Sequence, residues 1–334
     1  MLTIKINITK EQLVKLCHQG QITISFCHNE DNVLDTNDYE HPSFFDLMSQ
    51  MIEQMKQSGN YRCVETYRTA LNHFKEFRKG EDLPVSAICS EMMEQYQSSL
   101  RSKNLTMNTI SFHMRILRAV YHRAVGRGLT VDQTPFCNVY TGQARTKKRA
   151  LTLQMLQTLK QLKLSDEKLE YVRDLFLLSF YMRGIPFVDM AYLKQTDLQN
   201  GLLKYKRRKT GQPLQIRWEQ PMQEIIDRYN NTTSPYLLPI IRKTNGKERN
   251  QYRYQLSKVN KNLKEIARIA GFNVNLTMYC ARHTWATVAR ELETPMNIIS
   301  SAMGHTNEHT TEIYIKSVDC NLVDKANHRI IQLI

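Results

Sequence analysis

Apolar positions recur at three- and four-residue spacing through most of the chain, and that period predicts helices. Pro42 and Ser43 open the first, with Phe44, Phe45, Leu47, Met48, Met51, Ile52 and Met55 on one face. Asn60 starts a second. Its Tyr61, Val64, Tyr67, Leu71 and Phe74 point inward, while Arg62, Arg68, Lys75 and Arg78 point outward. A third covers residues 87–101. Thr106 caps a fourth, which buries Ile110, Met114, Leu117, Val120, Tyr121 and Ala124 and interleaves His113, Arg115, Arg118, His122, Arg123 and Arg127 between them. The same period returns at residues 152–163, 167–182, 186–193, 219–229 and 250–270. Alternation, the period of strands, appears in two regions. One is Leu2, Ile4, Ile6 and Ile8, followed by Ile22, Ile24 and Phe26. In the other, Leu202 to Tyr205 and Leu214 to Ile216 flank Lys206-Arg207-Arg208-Lys209-Thr210-Gly211-Gln212-Pro213, which predicts a short hairpin with a basic turn.

Where the periods stop, the chain divides. Residues 1–41 read as an arm-like segment, two short strands around a helix ending at Gly20, followed by an acidic linker over 29–41. Residues 42–130 read as a helical bundle. Residues 131–149, with Pro135, Gly142 and then Arg145, Lys147, Lys148 and Arg149, read as an extended basic linker. Residues 150–334 form a second domain, closed by an amphipathic tail from Val323 to Leu333. The expected fold is mainly α, in two domains: a helical bundle, then a mixed α domain with a small β-hairpin or sheet.

Charge narrows the partner. Lys and Arg number 46 against 32 acidic residues, a net charge of +14, which favours a polyanion and nucleic acid first. The basic faces of two helices, with Arg62, Arg68, Arg115 and Arg118, suit phosphate contact, as do the linker cations and Lys206, Arg207 and Arg208. The seven cysteines are scattered without a C-x-x-C pair, which reads as reduced thiols in a cytoplasmic protein, with neither a disulfide framework nor a zinc site. The first residues lack the charged leader and apolar run of a signal peptide. No stretch reaches the ~18 uncharged apolar residues of a membrane span. With no D-x-D, H-E-x-x-H or P-loop, the sequence speaks against two-metal and nucleotide-triphosphate chemistry, and neither a cofactor nor a metal is expected.

The chemistry concentrates near the C-terminus. Tyr279-Cys280-Ala281-Arg282-His283-Thr284-Trp285-Ala286-Thr287 is followed by Gly304-His305-Thr306 and then by Tyr314, so that Arg282, His305 and Tyr314 stand in steps of 23 and 9 positions. Cleaving a phosphodiester without a metal requires cations on the non-bridging oxygens, a nucleophile in line, and an acid for the leaving oxygen. An arginine, a histidine and a tyrosine in a basic chain supply such a set.

The pattern A-R-H-T-x-A-T, then G-H-T, then Tyr nine residues after that histidine resembles the tyrosine recombinase (phage-type integrase) family. It is most similar to the branch found in mobile elements and DNA invertases of gut anaerobes. The resemblance covers residues 42–320 as a helical (SAM-like) core-binding domain and a catalytic domain. It implies that Tyr314 is the nucleophile, leaving a 3′-phosphotyrosine link and a free 5′-hydroxyl. Arg282 matches the second-box arginine, His305 the third-box histidine, and Lys209 the β-hairpin lysine that protonates the departing 5′-oxygen. Tyr279 stands where the family usually has His or Lys, and a positioning role is expected of it. In the first box, Met182-Arg183-Gly184-Ile185-Pro186-Phe187-Val188-Asp189 replaces T-G-L-R-x-x-E. Aligned on Asp189, the arginine column holds Pro186. Arg183 lies one helical turn earlier and is expected to take the role, with Asp189 orienting the arginines.

The resemblance implies a site-specific DNA recombinase (integrase or invertase) that needs neither metal nor ATP. Its partners would be double-stranded DNA with paired recombination sites, a homo-tetramer formed on it, and an accessory DNA-bending protein. It would be cytoplasmic in a bacterium and nucleoid-associated when bound. Competing expectations are a type IB-like topoisomerase using the same chemistry without paired sites, and a catalytically inactive DNA-binding relative.

Overall fold

The computed structural model describes residues 43–144, 150–229 and 234–305. The expected strands and helix of residues 1–28, the linker at 29–41, the cations at 145–149, Tyr314 and the tail lie outside the described residues. The chain forms two compact units, residues 1–145 and 146–334.

The first unit is helical: α1 (Phe44–Gln57), α2 (Tyr61–Phe77), α3 (Ser90–Ser102) and α4 (Met107–Gly126). Ser43 and Thr106 cap α1 and α4, each accepting a backbone N–H two or three residues into the helix, worth about 1 kcal/mol apiece. The apolar faces read from the sequence, apart from the half-exposed Tyr61, meet in one core, with Phe44, Phe45, Phe77 and Tyr96 ringed around Phe74. His113 departs from its expected place on a basic face. It is 1% exposed and packs edge-on against His73. Burial holds its pKa down to about 4, so the ring is a neutral core residue. Residues 131–144 also differ from an extended linker. Phe136 and Val139 are buried in this core, Tyr121 bonds to Val131 O and Gln133 N, and Asn108 pairs with both backbone groups of Ala144.

The second unit is built around α6 (Glu167–Tyr181), buried over most of its length and packed against α8 (Gln220–Arg228), α9 (Glu248–Ile269) and α10 (Met278–Glu291). It is the centre of this core, and the charged residues buried with it are paired, Arg173 Nε donating to Asp174 Oδ1 at 2.9 Å. Shorter helices are α5 (Leu153–Gln161), α7 (Phe187–Ala191) and α11 (Met296–Met303). The hairpin extends to a three-stranded antiparallel sheet of β1 (Leu198–Gln199), β2 (Leu202–Lys206) and β3 (Pro213–Arg217). Leu203 pairs with Ile216, and both are buried. Strand β1 was not expected; Asn200-Gly201, both at positive φ, form the tight turn that joins it to β2.

Candidate active site

Arg282 is buried because of its helical register. It lies one turn from Met278 and one from Ala286, and all three are on the inward face of α10. Its guanidinium makes three hydrogen bonds: Nη1 donates to Gly184 O at 3.0 Å, and Nη2 to Met303 O at 2.6 Å and to His305 Nε2 at 2.9 Å. Burial, and then the neighbouring charge of Arg207, depress its pKa to about 10, so it remains a cation at neutral pH.

An arginine can only donate, so His305 Nε2 must be the acceptor and the ring proton sits on Nδ1. Burial, then the charges of Arg282, Arg207 and Lys209, push the His305 pKa down to about 4. The histidine is therefore a neutral donor in a positive field.

Two glycines let the backbone close on this pair. Gly184 has φ +69, and a Cβ there would stand 2.5 Å from Arg282 Cα. Gly304 ends α11 in the left-handed conformation at φ +64, and a Cβ there would stand 2.8 Å from Arg207 Cδ. The G-H-T glycine thus makes room for an arginine stem.

Arg207 is set apart from its basic neighbours by its depth. It is expected from the sequence as a phosphate contact alongside Lys206 and Arg208; it is 7% exposed, while Lys206, Arg208 and Lys209 are exposed. Its Nη1 donates to Met303 O at 3.2 Å and Gly304 O at 2.7 Å, the free carbonyls at the C-terminus of α11. Strand parity was the available signal: Leu203, Tyr205 and Arg207 share the inward face, and Lys204, Lys206 and Arg208 the outward one.

Asp189 is buried beside these cations. It accepts the Arg208 backbone N–H at 2.9 Å, and its second oxygen is 3.7 Å from Arg207 Nε. Burial raises its pKa, and the Arg208 bond and the charges of Arg207 and Arg282 oppose that rise. The Arg208 guanidinium lies over the Tyr192 ring, 3.8 Å from its centroid.

Lys209 sits exposed in the turn between β2 and β3, close enough for its charge to act on His305. Tyr279 is half exposed and edge-on to His283 at 4.8 Å. Partial burial raises its pKa, against the pull of Arg282 and Arg207. The charge of Arg183 acts on Tyr205 together with those of Arg282 and Arg207, but its side chain is bonded elsewhere. Its backbone is left-handed at φ +59, and its Nη1 donates to Gln215 O at 3.3 Å. It lines a cleft with Gln212, Asn297 and Ile298, whereas Tyr279 and Arg282 line another, of about 300 Å³, with Pro186, Phe187 and Tyr252. In the first unit, Arg62, Arg68 and Arg115 are exposed, and Arg118 is half-buried with Nη1 on Thr141 Oγ1 at 3.3 Å.

Two buried guanidinium groups, a neutral histidine and an exposed lysine thus lie close together, with the one carboxylate of Asp189 beside them. The chain belongs to the phage integrase family, the tyrosine recombinases: a phage integrase SAM-like domain matches residues 43–139 and the phage integrase family domain residues 149–320. Among similar proteins are tyrosine recombinase XerA of Pyrococcus furiosus, 26% identical over 242 residues (70% of this chain, 79% of the relative), and tyrosine recombinase XerC of Lactobacillus leichmannii, 23% identical over 278 (80% and 93%). The fold is shared with a lambda integrase dimer bound to a COC′ core site, at TM-score 0.63 and 13% identity over 81% of this chain and 95% of that one. It is shared also with the Tn1549 transposon integrase in complex with transposon right end DNA, at 0.62 and 16% over 86% and 99%.

Proposed function

We propose that this chain cuts and rejoins duplex DNA at paired specific sites through a 3′-phosphotyrosine intermediate. The observation that carries the reading is Arg282 Nη2, which donates both to Met303 O and to His305 Nε2 and so brings the motif's arginine and histidine together at the C-terminal end of α11. Tyr314 attacks the scissile phosphorus, the bond to the 5′-oxygen breaks, and Lys209 supplies the proton that the departing oxygen takes up. A phenol with an ordinary pKa of about 10 is a poor nucleophile, and the surrounding cations stabilise the phenolate and the extra charge on phosphorus as the bond forms. The bond energy is stored in the phosphotyrosine, so rejoining requires no ATP.

The reading extends to a tetramer on two DNA sites, supported by the lambda integrase tetramer bound to a Holliday junction, whose fold is similar at TM-score 0.61. Among the described residues no helix is long and apolar enough to cross a membrane, which is consistent with action in the bacterial cytoplasm on nucleoid DNA. Similarity to recombinases favours exchange between sites over relaxation of arbitrary supercoiled DNA, and the engaged arginine pair favours a working site over an inactive relative.

The test is covalent trapping. The protein is incubated in EDTA with nicked duplexes carrying candidate inverted repeats taken from the DNA beside its coding sequence. An SDS-resistant adduct is expected; binding without any adduct overturns the reading.

A further inference from the structure

The first-box column of this chain holds Pro186, and Arg183, the nearest arginine, bonds to Gln215 O and lines a different cleft from Arg282. The site would then hold a single guanidinium, but the structure brings another into it. We infer that Arg207, from the end of β2, supplies the second arginine that grips the scissile phosphate.

Three observations carry this. Arg207 and Arg282 donate to one carbonyl oxygen, that of Met303, so their guanidinium groups converge on the same point at the end of α11. The Arg207 stem is seated over Gly304, next in sequence to His305, and only a glycine leaves it that room. Its charge is poorly met: Asp189 is 3.7 Å from Nε, Nε is buried with no hydrogen-bond partner, and Nη1 alone is bonded among the described residues. Burying two like charges side by side is costly unless an anion joins them. Nη2 is left to donate, and a phosphate held by Arg282 and His305 is the anion within its reach. The competing account is that Arg207 merely satisfies the carbonyls that end α11.

The inference rests on the recombinase reading, and its test separates the two. Cleavage rates of the unmodified chain, Arg207→Met and Arg183→Ala are measured on two nicked duplexes, one with the natural scissile phosphate and one with a methylphosphonate there. The methyl group removes the ionised oxygen, so a cation that neutralises it becomes dispensable. The Met variant keeps an apolar stem over Gly304; should it not fold, Arg207→Gln, which also removes the charge and keeps a polar end for the carbonyls of α11, carries the same comparison. Arg207→Met is expected to lose about 100-fold or more on the phosphate and under about 10-fold on the methylphosphonate, with Arg183→Ala within about threefold on the phosphate. Equal losses of Arg207→Met on both duplexes, cleavage within threefold of the unmodified rate, or a larger loss for Arg183→Ala overturns the inference alone. An unmodified chain that forms no adduct on DNA it binds overturns the recombinase reading and the inference with it.

Discussion

Arg207 and Arg282, 75 positions apart in sequence, donate to the same acceptor, the carbonyl oxygen of Met303, at 3.2 and 2.6 Å. That shared oxygen is the last turn of α11, and it ties the basic hairpin to the helix carrying the R-H-T motif.

Each arginine is backed by a glycine, and the two should respond differently to a methyl group. At Gly184 the added Cβ meets Arg282 Cα, which is backbone, whereas at Gly304 it meets the flexible Cδ of Arg207. Gly211, at φ +70 with nothing within 4 Å, is the control for the left-handed conformation alone. Gly211→Ala should cost about 1–2 kcal/mol. Gly304→Ala should cost somewhat more, with cleavage down about 10-fold as Arg207 is displaced. Gly184→Ala should be the most destabilising of the three. Thermal melts with single-turnover cleavage give the ranking.

His305 should be neutral at pH 7 and protonated on Nδ1. Its pKa is depressed from 6.5 to about 4, so the folded state binds fewer protons than the unfolded one between those values. The stability it contributes is whole above pH 6.5 and is lost as pH falls toward 4. Nitrogen chemical shifts of the ring across that window report both tautomer and pKa. A bound phosphate adds negative charge, so DNA should raise that pKa.

Lys209→Ala should slow cleavage of an ordinary phosphodiester by about 100- to 10,000-fold, the usual worth of a positioned general acid. A duplex whose 5′-bridging oxygen is replaced by sulfur has a leaving group that needs no proton, and on it the variant should approach the unmodified rate. A loss of equal size on both duplexes contradicts the role.

Exposed Arg62, Arg68 and Arg115 should each add to DNA affinity through phosphate, whereas buried His113 should not. Replacing any of the arginines by Ala should reduce the slope of log K against log salt by about one. His113→Ala should leave that slope unchanged and instead destabilise the first unit by about 2–4 kcal/mol through the cavity it opens. Salt-dependent binding and denaturant melts separate the two effects.

These contrasts mark where the sequence was legible. Helical period gave the faces of α1, α2 and α4 and the core around Phe74, because burial repeats every third or fourth residue. The same period explains His113, which follows Ile110 by three positions; its chemistry suggested a basic face and its register dictated the core. Arg282 and His305 were legible through joint spacing. The depth of Arg207 was not read from four consecutive cations, although strand parity marks it, because what buries it is the end of α11, 96 positions later. Residues 131–144 look like a linker by composition, and only Phe136 and Val139, filling the first core, give them a place.

The central claim, strand transfer through Tyr314, is tested most directly by mapping the adduct. The trapped complex is digested with nuclease and trypsin and analysed by mass spectrometry. The peptide covering residues 291–316 contains Tyr314 as its only tyrosine. The account predicts a nucleotide 3′-phosphate on that peptide, and no adduct at all from Tyr314→Phe on DNA that it still binds. A link at any other residue, or an adduct that survives Tyr314→Phe, contradicts it.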